Sequence, residues 1–219
     1  MVRIIVLNYA RPENVKLIIR TYIDHFPITV VNNSAVPFTY EDDRVTIIQM
    51  PTNHYCFQRW LTCYTTPEPL KLVIDDDLII SLDTINRMVK CNQLMVGIYG
   101  KSKVSMSENY QELKNHWCEP ADVDFLVGSA ILIKQAALDA IKNQVEKVGL
   151  PDRGDDIIIS YLVKKKFKLK SLTTVAGTVL QLPEGDVGLN THFSHYSKRW
   201  YVLQKFKNIA WTEDENIIT

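Results

Sequence analysis

The residues Leu72-Val73-Ile74-Asp75-Asp76-Asp77 set three consecutive carboxylates at the end of a short apolar run. Hard oxygen donors of this kind suit Mg²⁺ or Mn²⁺ bound together with the phosphates of a substrate. Adjacent carboxylates repel one another, so a cation belongs close by. Taken alone, the triplet has a second reading as the solvated end of a strand. A second acidic pair, Asp155-Asp156, stands at the head of an apolar, helix-forming stretch, where the positive end of the helix dipole favours negative charge. His192 and His195 are near enough in sequence to share a site.

The elements that must position these groups follow from hydrophobic patterning. A run of Leu, Val and Ile bounded by charge is a strand buried on both faces, as in a parallel sheet, and the acids then sit at its carboxyl end. In open α/β sheets that edge is where ligands bind. Strand-like and helix-like segments alternate from the start: strands at 3–7, 28–31, 45–48, 70–74, 94–99 and 131–133, helices at 12–25, 55–64, 81–91, 134–148 and 157–165. A late strand at 168–172, a loop at 180–195 and a helix at 198–207 complete the pattern. Pro12 opens the first helix, and the Ser81 hydroxyl is placed to cap the third. Gly128 in the turn 128–130 is read as a bend needing positive φ. The expectation is α/β, with a mostly parallel central sheet flanked by helices in a single domain over 1–219.

Composition narrows the function. The 25 basic and 25 acidic residues cancel, so no global field attracts nucleic acid or a membrane surface. No apolar stretch approaches the roughly 20 residues of a membrane span, and the amino terminus lacks a signal-peptide pattern. The four cysteines show no CxxC pairing and read as reduced thiols, which points to a cytoplasmic protein. The tail 211–219 is acidic, then apolar, without a helix stop, so further domains of the same polypeptide are expected beyond it.

Several segments resemble nucleotide-sugar glycosyltransferases of the GT-A fold. Asn8-Tyr9-Ala10-Arg11-Pro12-Glu13-Asn14-Val15 resembles their "NYxRPxNV" opening, whose loop wraps the nucleotide, and Asn32-Asn33-Ser34 resembles the "DNGS"-like turn that helps hold the base. Phe57-Gln58-Arg59-Trp60 and Val73 to Asp77 resemble the "NRF" segment and aspartate-rich motif of exostosin-like transferases. Gly154-Asp155-Asp156-Ile157 is similar to their "CEDI" segment, with Gly for Cys and Asp for Glu. Phe125 to Ala130, containing Gly128 and Ser129, resembles the turn lining the donor-sugar pocket. His192-Phe193-Ser194-His195-Tyr196-Ser197-Lys198-Arg199-Trp200 resembles the "HFxGxxKPW" motif of glycogenin-like retaining transferases, with His195 for Gly and Arg199 for Pro. The compact chain also resembles glycosyltransferase domains from large DNA viruses of algae.

The resemblance implies a transferase moving a sugar from a UDP-sugar donor to a glycan acceptor. Its nucleotide-binding half would cover about 1–100 and its acceptor-side half about 101–210. Asn8, Tyr9, Arg11, Asn33, Arg59, Asp75, Asp76, Gly128, Ser129 and Lys198 would bind the nucleotide-sugar, Arg59 with its planar donor fork on the pyrophosphate. Asp75, Asp77 and His192 would ligate Mn²⁺ or Mg²⁺. Asp156, with Asp155 second, would act beside the anomeric carbon, with retention slightly favoured. Two other classes stay open: a nucleotidyltransferase making the nucleotide-sugar, although 8–14 lacks the glycines of its signature, and a non-catalytic carbohydrate-binding domain. Haloacid-dehalogenase-like phosphatases share the strand-plus-Asp pattern but place it on the first strand.

Overall fold

The computed structural model describes residues 1–53, 55–103, 109–148, 153–183 and 194–210, with side chains of the last segment to 205. Thirteen strands and six α-helices are defined among them. The strands are β1 (Val2–Asn8), β2 (Ile28–Asn32), β3 (Val45–Gln49), β4 (Leu70–Asp75), β5 (Leu78–Ile80), β6 (Met95–Gly97), β7 (Tyr99–Ser102), β8 (Lys114–Trp117), β9 (Ala121–Val123), β10 (Phe125–Leu126), β11 (Ala130–Lys134), β12 (Leu172–Thr174) and β13 (Val179–Gln181). The helices are α1 (Pro12–Tyr22), α2 (Gln58–Cys63), α3 (Leu82–Cys91), α4 (Gln135–Val148), α5 (Asp155–Phe167) and α6 (Ser194–Ala210).

The main sheet has the order β3-β2-β1-β4-β11-β6-β12-β9. β11 and β9 run against the other six strands, so the sheet is mixed but mostly parallel. Period-two alternation divides its side chains between two apolar layers. Ile5, Leu7, Val73, Ile131 and Ile133 pack with α2, α4, α5 and α6 on one face. Ile4, Val6, Leu72, Ile74 and Leu132 pack with α1 and α3 on the other. Burial on both faces explains why β1, β2 and β4 are unbroken apolar runs in the sequence.

Local rules place the loops. Ser81 caps α3 by accepting from the Thr84 N–H at 3.1 Å. Pro12 sits at the first turn of α1, and Ala10 just before it takes φ 60°, a left-handed turn that reverses the chain at the end of β1. Gly154 at φ +83° lets α5 begin with both Asp155 and Asp156 buried.

Several boundaries differ from expectation. The strand expected over 94–99 is two strands, because β6 stays in the main sheet while β7 leaves it to pair with β8 and β10. The strand expected over 168–172 begins only at Leu172, since α5 runs on to Phe167 and ends with Lys168 in a left-handed conformation. Within the expected loop, Val179–Gln181 forms β13 and pairs with β5.

Candidate functional site

A cleft of about 870 Å³ opens at the carboxyl edge of β1 and β4, and the residues that line it come from both halves of the chain. Tyr9, Arg11, Asn33, Arg59, Asp75, Asp76, Asp77, Gly128, Ser129, Asp155 and Asp156 all face it. Residues separated by about 150 positions in sequence are thus brought to one place.

The acidic triplet spans the last residue of β4 and the turn that follows it, and its three side chains meet different surroundings. Asp76 is 6% exposed, accepts the Tyr9 N–H at 2.9 Å and pairs with Arg11 at 2.5 Å. It fastens the loop after β1 to the end of β4. Asp75 and Asp77 keep more open carboxylates, with side chains 36% and 20% accessible, and Arg11 also reaches Asp77 at 3.2 Å. Although its side chain is partly open to the cleft, the protein packed around Asp75 strips water from it and pushes it up to about 8; Arg59 opposes the rise, while Asp77, Asp76 and Asp155 add to it. Asp76 rises to about 6, again chiefly through burial.

Arg59 is the hub of the site. Its buried guanidinium binds Asp75, donates to Asp155 Oδ2 through Nε at 3.1 Å and Nη2 at 3.0 Å, and reaches the Gly128 carbonyl at 3.2 Å. Trp60 Nε1 donates to the same Asp155 oxygen at 2.7 Å. The fork that sequence reading aims at a pyrophosphate is therefore engaged with protein acceptors, and Arg59 positions two carboxylates. Gly128 does not have positive φ among the described residues. A Cβ there would collide with the Arg59 guanidinium, so the glycine is required for space and not for backbone freedom.

Asp156 is 1% exposed and is held by three donors: Gly128 N at 2.8 Å, Arg199 Nη2 at 2.7 Å and its neighbour Ile157 N at 2.9 Å. Burial alone would raise it, but the Arg199 ion pair and these hydrogen bonds prevail and hold it below the usual carboxylate range. Arg199 in turn stacks over Tyr110, 4.8 Å from the ring centroid, and Lys101 stacks over the same ring at 4.6 Å. Burial and the nearby Arg199 pull Lys101 down to about 8.

At the other end of the cleft, Asn33 is 2% exposed. Its Nδ2 donates to the Tyr55 carbonyl at 2.8 Å, which leaves the buried Oδ1 as an acceptor with no partner among the described residues. Asn8 does not face the cleft. It braces this wall from behind, donating to Asn32 Oδ1 at 2.7 Å and accepting from Arg11 N at 3.3 Å.

Lys198 is exposed and does not line the cleft, whereas Arg199 does. Successive helical residues point about 100° apart, so only one of the two can face inward. His192 lies outside the described residues. Among the described residues no trio of His, Cys, Asp or Glu is arranged to hold an ion unaided. The donor set nonetheless fits Mg²⁺ or Mn²⁺, which typically take one or two carboxylates and complete their shell with phosphate and water. Asp75 and Asp77 are two such carboxylates, whose mutual repulsion a divalent ion would relieve.

No protein-family model and no curated protein matches the chain. Solved structures do. A structure of S. aureus TarS residues 1–349 in complex with UDP-GlcNAc superposes with TM-score 0.57 at 11% identity, covering 88% of this chain and 61% of that one. A longer S. aureus TarS structure gives TM-score 0.54 at 11% identity, covering 98% of this chain and 44% of that one. The chain thus spans less than two thirds of either. At this identity the shared property is the fold alone, a large central sheet flanked by helices.

Proposed function

We propose that the chain is a metal-dependent glycosyltransferase that moves a sugar from a UDP-linked donor to a hydroxyl of a glycan. The observation that carries this reading is the pair Asp75 and Asp77, facing the same cleft as the separate buried carboxylate Asp156. A metal and phosphate end and a sugar end are what the reaction needs. The fold shared with TarS, a protein captured with UDP-GlcNAc, supports the donor class.

In this reading the uracil lies against Asn33, whose unpartnered Oδ1 would accept the N3–H, with Tyr9 at the mouth of the pocket. Cytosine presents an acceptor at N3 and would be refused there, because two acceptors face each other. Asp75 and Asp77 would hold Mn²⁺ or Mg²⁺, which supplies charge neutralisation for the departing diphosphate. Arg59 holds Asp75 and Arg11 reaches Asp77, which fixes the geometry of these carboxylates.

Asp156 would sit next to the anomeric carbon. A carboxylate gripped by three donors and held below the usual range is a poor proton acceptor, since a general base works best with a pKa near the operating pH. It is better suited to stabilising positive charge as the glycosidic bond breaks, and this favours retention of configuration. Asp155 is engaged by Arg59 and Trp60 through one oxygen and would orient this assembly.

The test is a screen of nucleotide-sugars for Mn²⁺-dependent turnover, with NMR of the product anomer. Turnover of a UDP-sugar with retained configuration supports the reading. Release of pyrophosphate from UTP and a sugar phosphate would make the chain a nucleotidyltransferase instead.

A further inference from the structure

Two cations that line the cleft, one of them in the half beyond Asp156, have no carboxylate partner among the described residues. Lys101 on β7 is 4% exposed, and its ammonium rests on the Tyr110 ring with a long 3.5 Å contact to the Tyr110 carbonyl. It has no carboxylate within ion-pair distance among the described residues. Arg153, at the bend before α5, lines the same cleft, and its Nε and Nη1 are buried without a hydrogen-bond partner among the described residues. Arg199 is neutralised by Asp156. Two cations, Lys101 buried and Arg153 partly so, therefore line the cavity with no carboxylate partner among the described residues, an arrangement that costs free energy unless an anion enters.

The same wall is aromatic. Trp117 is 43% exposed and meets Tyr99 edge-on at 5.1 Å, and Tyr110 stacks with Tyr196 at 6.1 Å. Tyr99, Trp117, Tyr110 and Tyr196 all line the cleft. Ring faces of this kind accept the apolar C–H face of a sugar, and Asn115 and Gln111 beside them add neutral polar groups.

We propose that this half is a subsite for an anionic acceptor saccharide: its sugar ring lies on the Tyr99 and Trp117 wall, and its carboxylate or phosphate is bound by Lys101 and Arg153. The inference deepens the transferase reading and rests on it for the word acceptor, but the anion site itself stands on Lys101 and Arg153. An anion here would turn an uncompensated pair of charges into charge-assisted hydrogen bonds, which are the stronger kind. A neutral glycan would leave both cations without a charged partner among the described residues.

The experiment is calorimetric titration of methyl β-glucuronide, glucose 6-phosphate and methyl β-glucoside into the protein, alone and saturated with UDP and Mn²⁺. The expected result is at least tenfold tighter binding of one or both anions than of the neutral glucoside. Whichever anion binds better identifies carboxylate or phosphate as the source. Lys101→Met and Arg153→Met should each abolish the preference while UDP affinity stays at the wild-type value. If Lys101→Met fails to fold, Arg153→Met, at a partly exposed position, decides. Equal binding of all three sugars, or an anion preference that survives Arg153→Met, overturns the proposal. Failure of UDP to bind refutes the transferase reading separately, because the anion preference is also scored without nucleotide.

Discussion

Replacing Gly128 by alanine perturbs the site at its tightest point. A Cβ built there overlaps Arg59 Nη2 and lies 3.2 Å from Cζ and 3.4 Å from Nη1. The far end of a long side chain would ordinarily swing aside. This one is buried and held by Asp75, Asp155 and the Gly128 carbonyl. Carbon contacts settle at about 3.5–4.0 Å, so the guanidinium must withdraw by about 1 Å. Bonds of 3.0 and 3.1 Å to Asp155 would then stretch towards 4 Å, beyond hydrogen-bond reach. Overpacking of this kind costs about 1–3 kcal/mol, which for a chain of this size lowers the melting temperature by roughly 2–4 °C per kcal/mol. A 1 Å displacement of reacting groups can cost about 100-fold in turnover. Thermal unfolding and Mn²⁺-dependent UDP-sugar turnover, measured on the same preparation, give the two readouts. An alanine variant with unchanged melting temperature and unchanged turnover would show that Arg59 does not set the positions of Asp75 and Asp155.

Other consequences follow from the charges. Asp75 rises from 3.8 to about 8 in the folded chain, so the folded state holds its proton more tightly than the unfolded chain and stability falls as pH climbs through that window. Asp75→Asn should therefore melt higher than wild type at pH 8, by about 1–2 kcal/mol after allowance for its open side, with no gain near pH 4; equal melting at pH 8 would contradict this. A divalent ion needs the Asp75 carboxylate, so Mn²⁺ affinity in the UDP complex should weaken about tenfold for each pH unit below about 8. Calorimetry at pH 6, 7 and 8 checks it, and a flat profile would rule out Asp75 as a ligand. Asn33→Leu should cost UDP about tenfold in affinity, about the worth of one buried hydrogen bond, and bring UDP level with CDP; retained discrimination in a competition assay would place the base elsewhere.

The sheet was legible because β1, β2 and β4 are buried on both faces, and burial on both faces writes itself as an unbroken apolar run. The capped start of α3 was legible for a local reason, the reach of the Ser81 hydroxyl to Thr84 N. β9 and β13 were not, since each is three residues long and owes its pairing to distant partners. In the site, the clustering of Asp75 and Asp77 with Asp155 and Asp156 was anticipated from motif order. The partner of each carboxylate was not. Arg199 was passed over for its neighbour Lys198, although helical phase separates the two. Lys101 and Arg153 carried no signal at all, because an unpaired buried cation is a property of what surrounds it and appears only when the chain is folded.

The central claim is that Asp75 and Asp77 bind a divalent ion together with the phosphates of UDP. Calorimetric titration of UDP with and without Mn²⁺, on wild type and Asp77→Ala, tests it most directly. The account predicts that Mn²⁺ strengthens UDP binding to wild type at least tenfold, about 1.4 kcal/mol, and that Asp77→Ala abolishes this gain. UDP binding indifferent to Mn²⁺, or a gain that persists in Asp77→Ala, would contradict it.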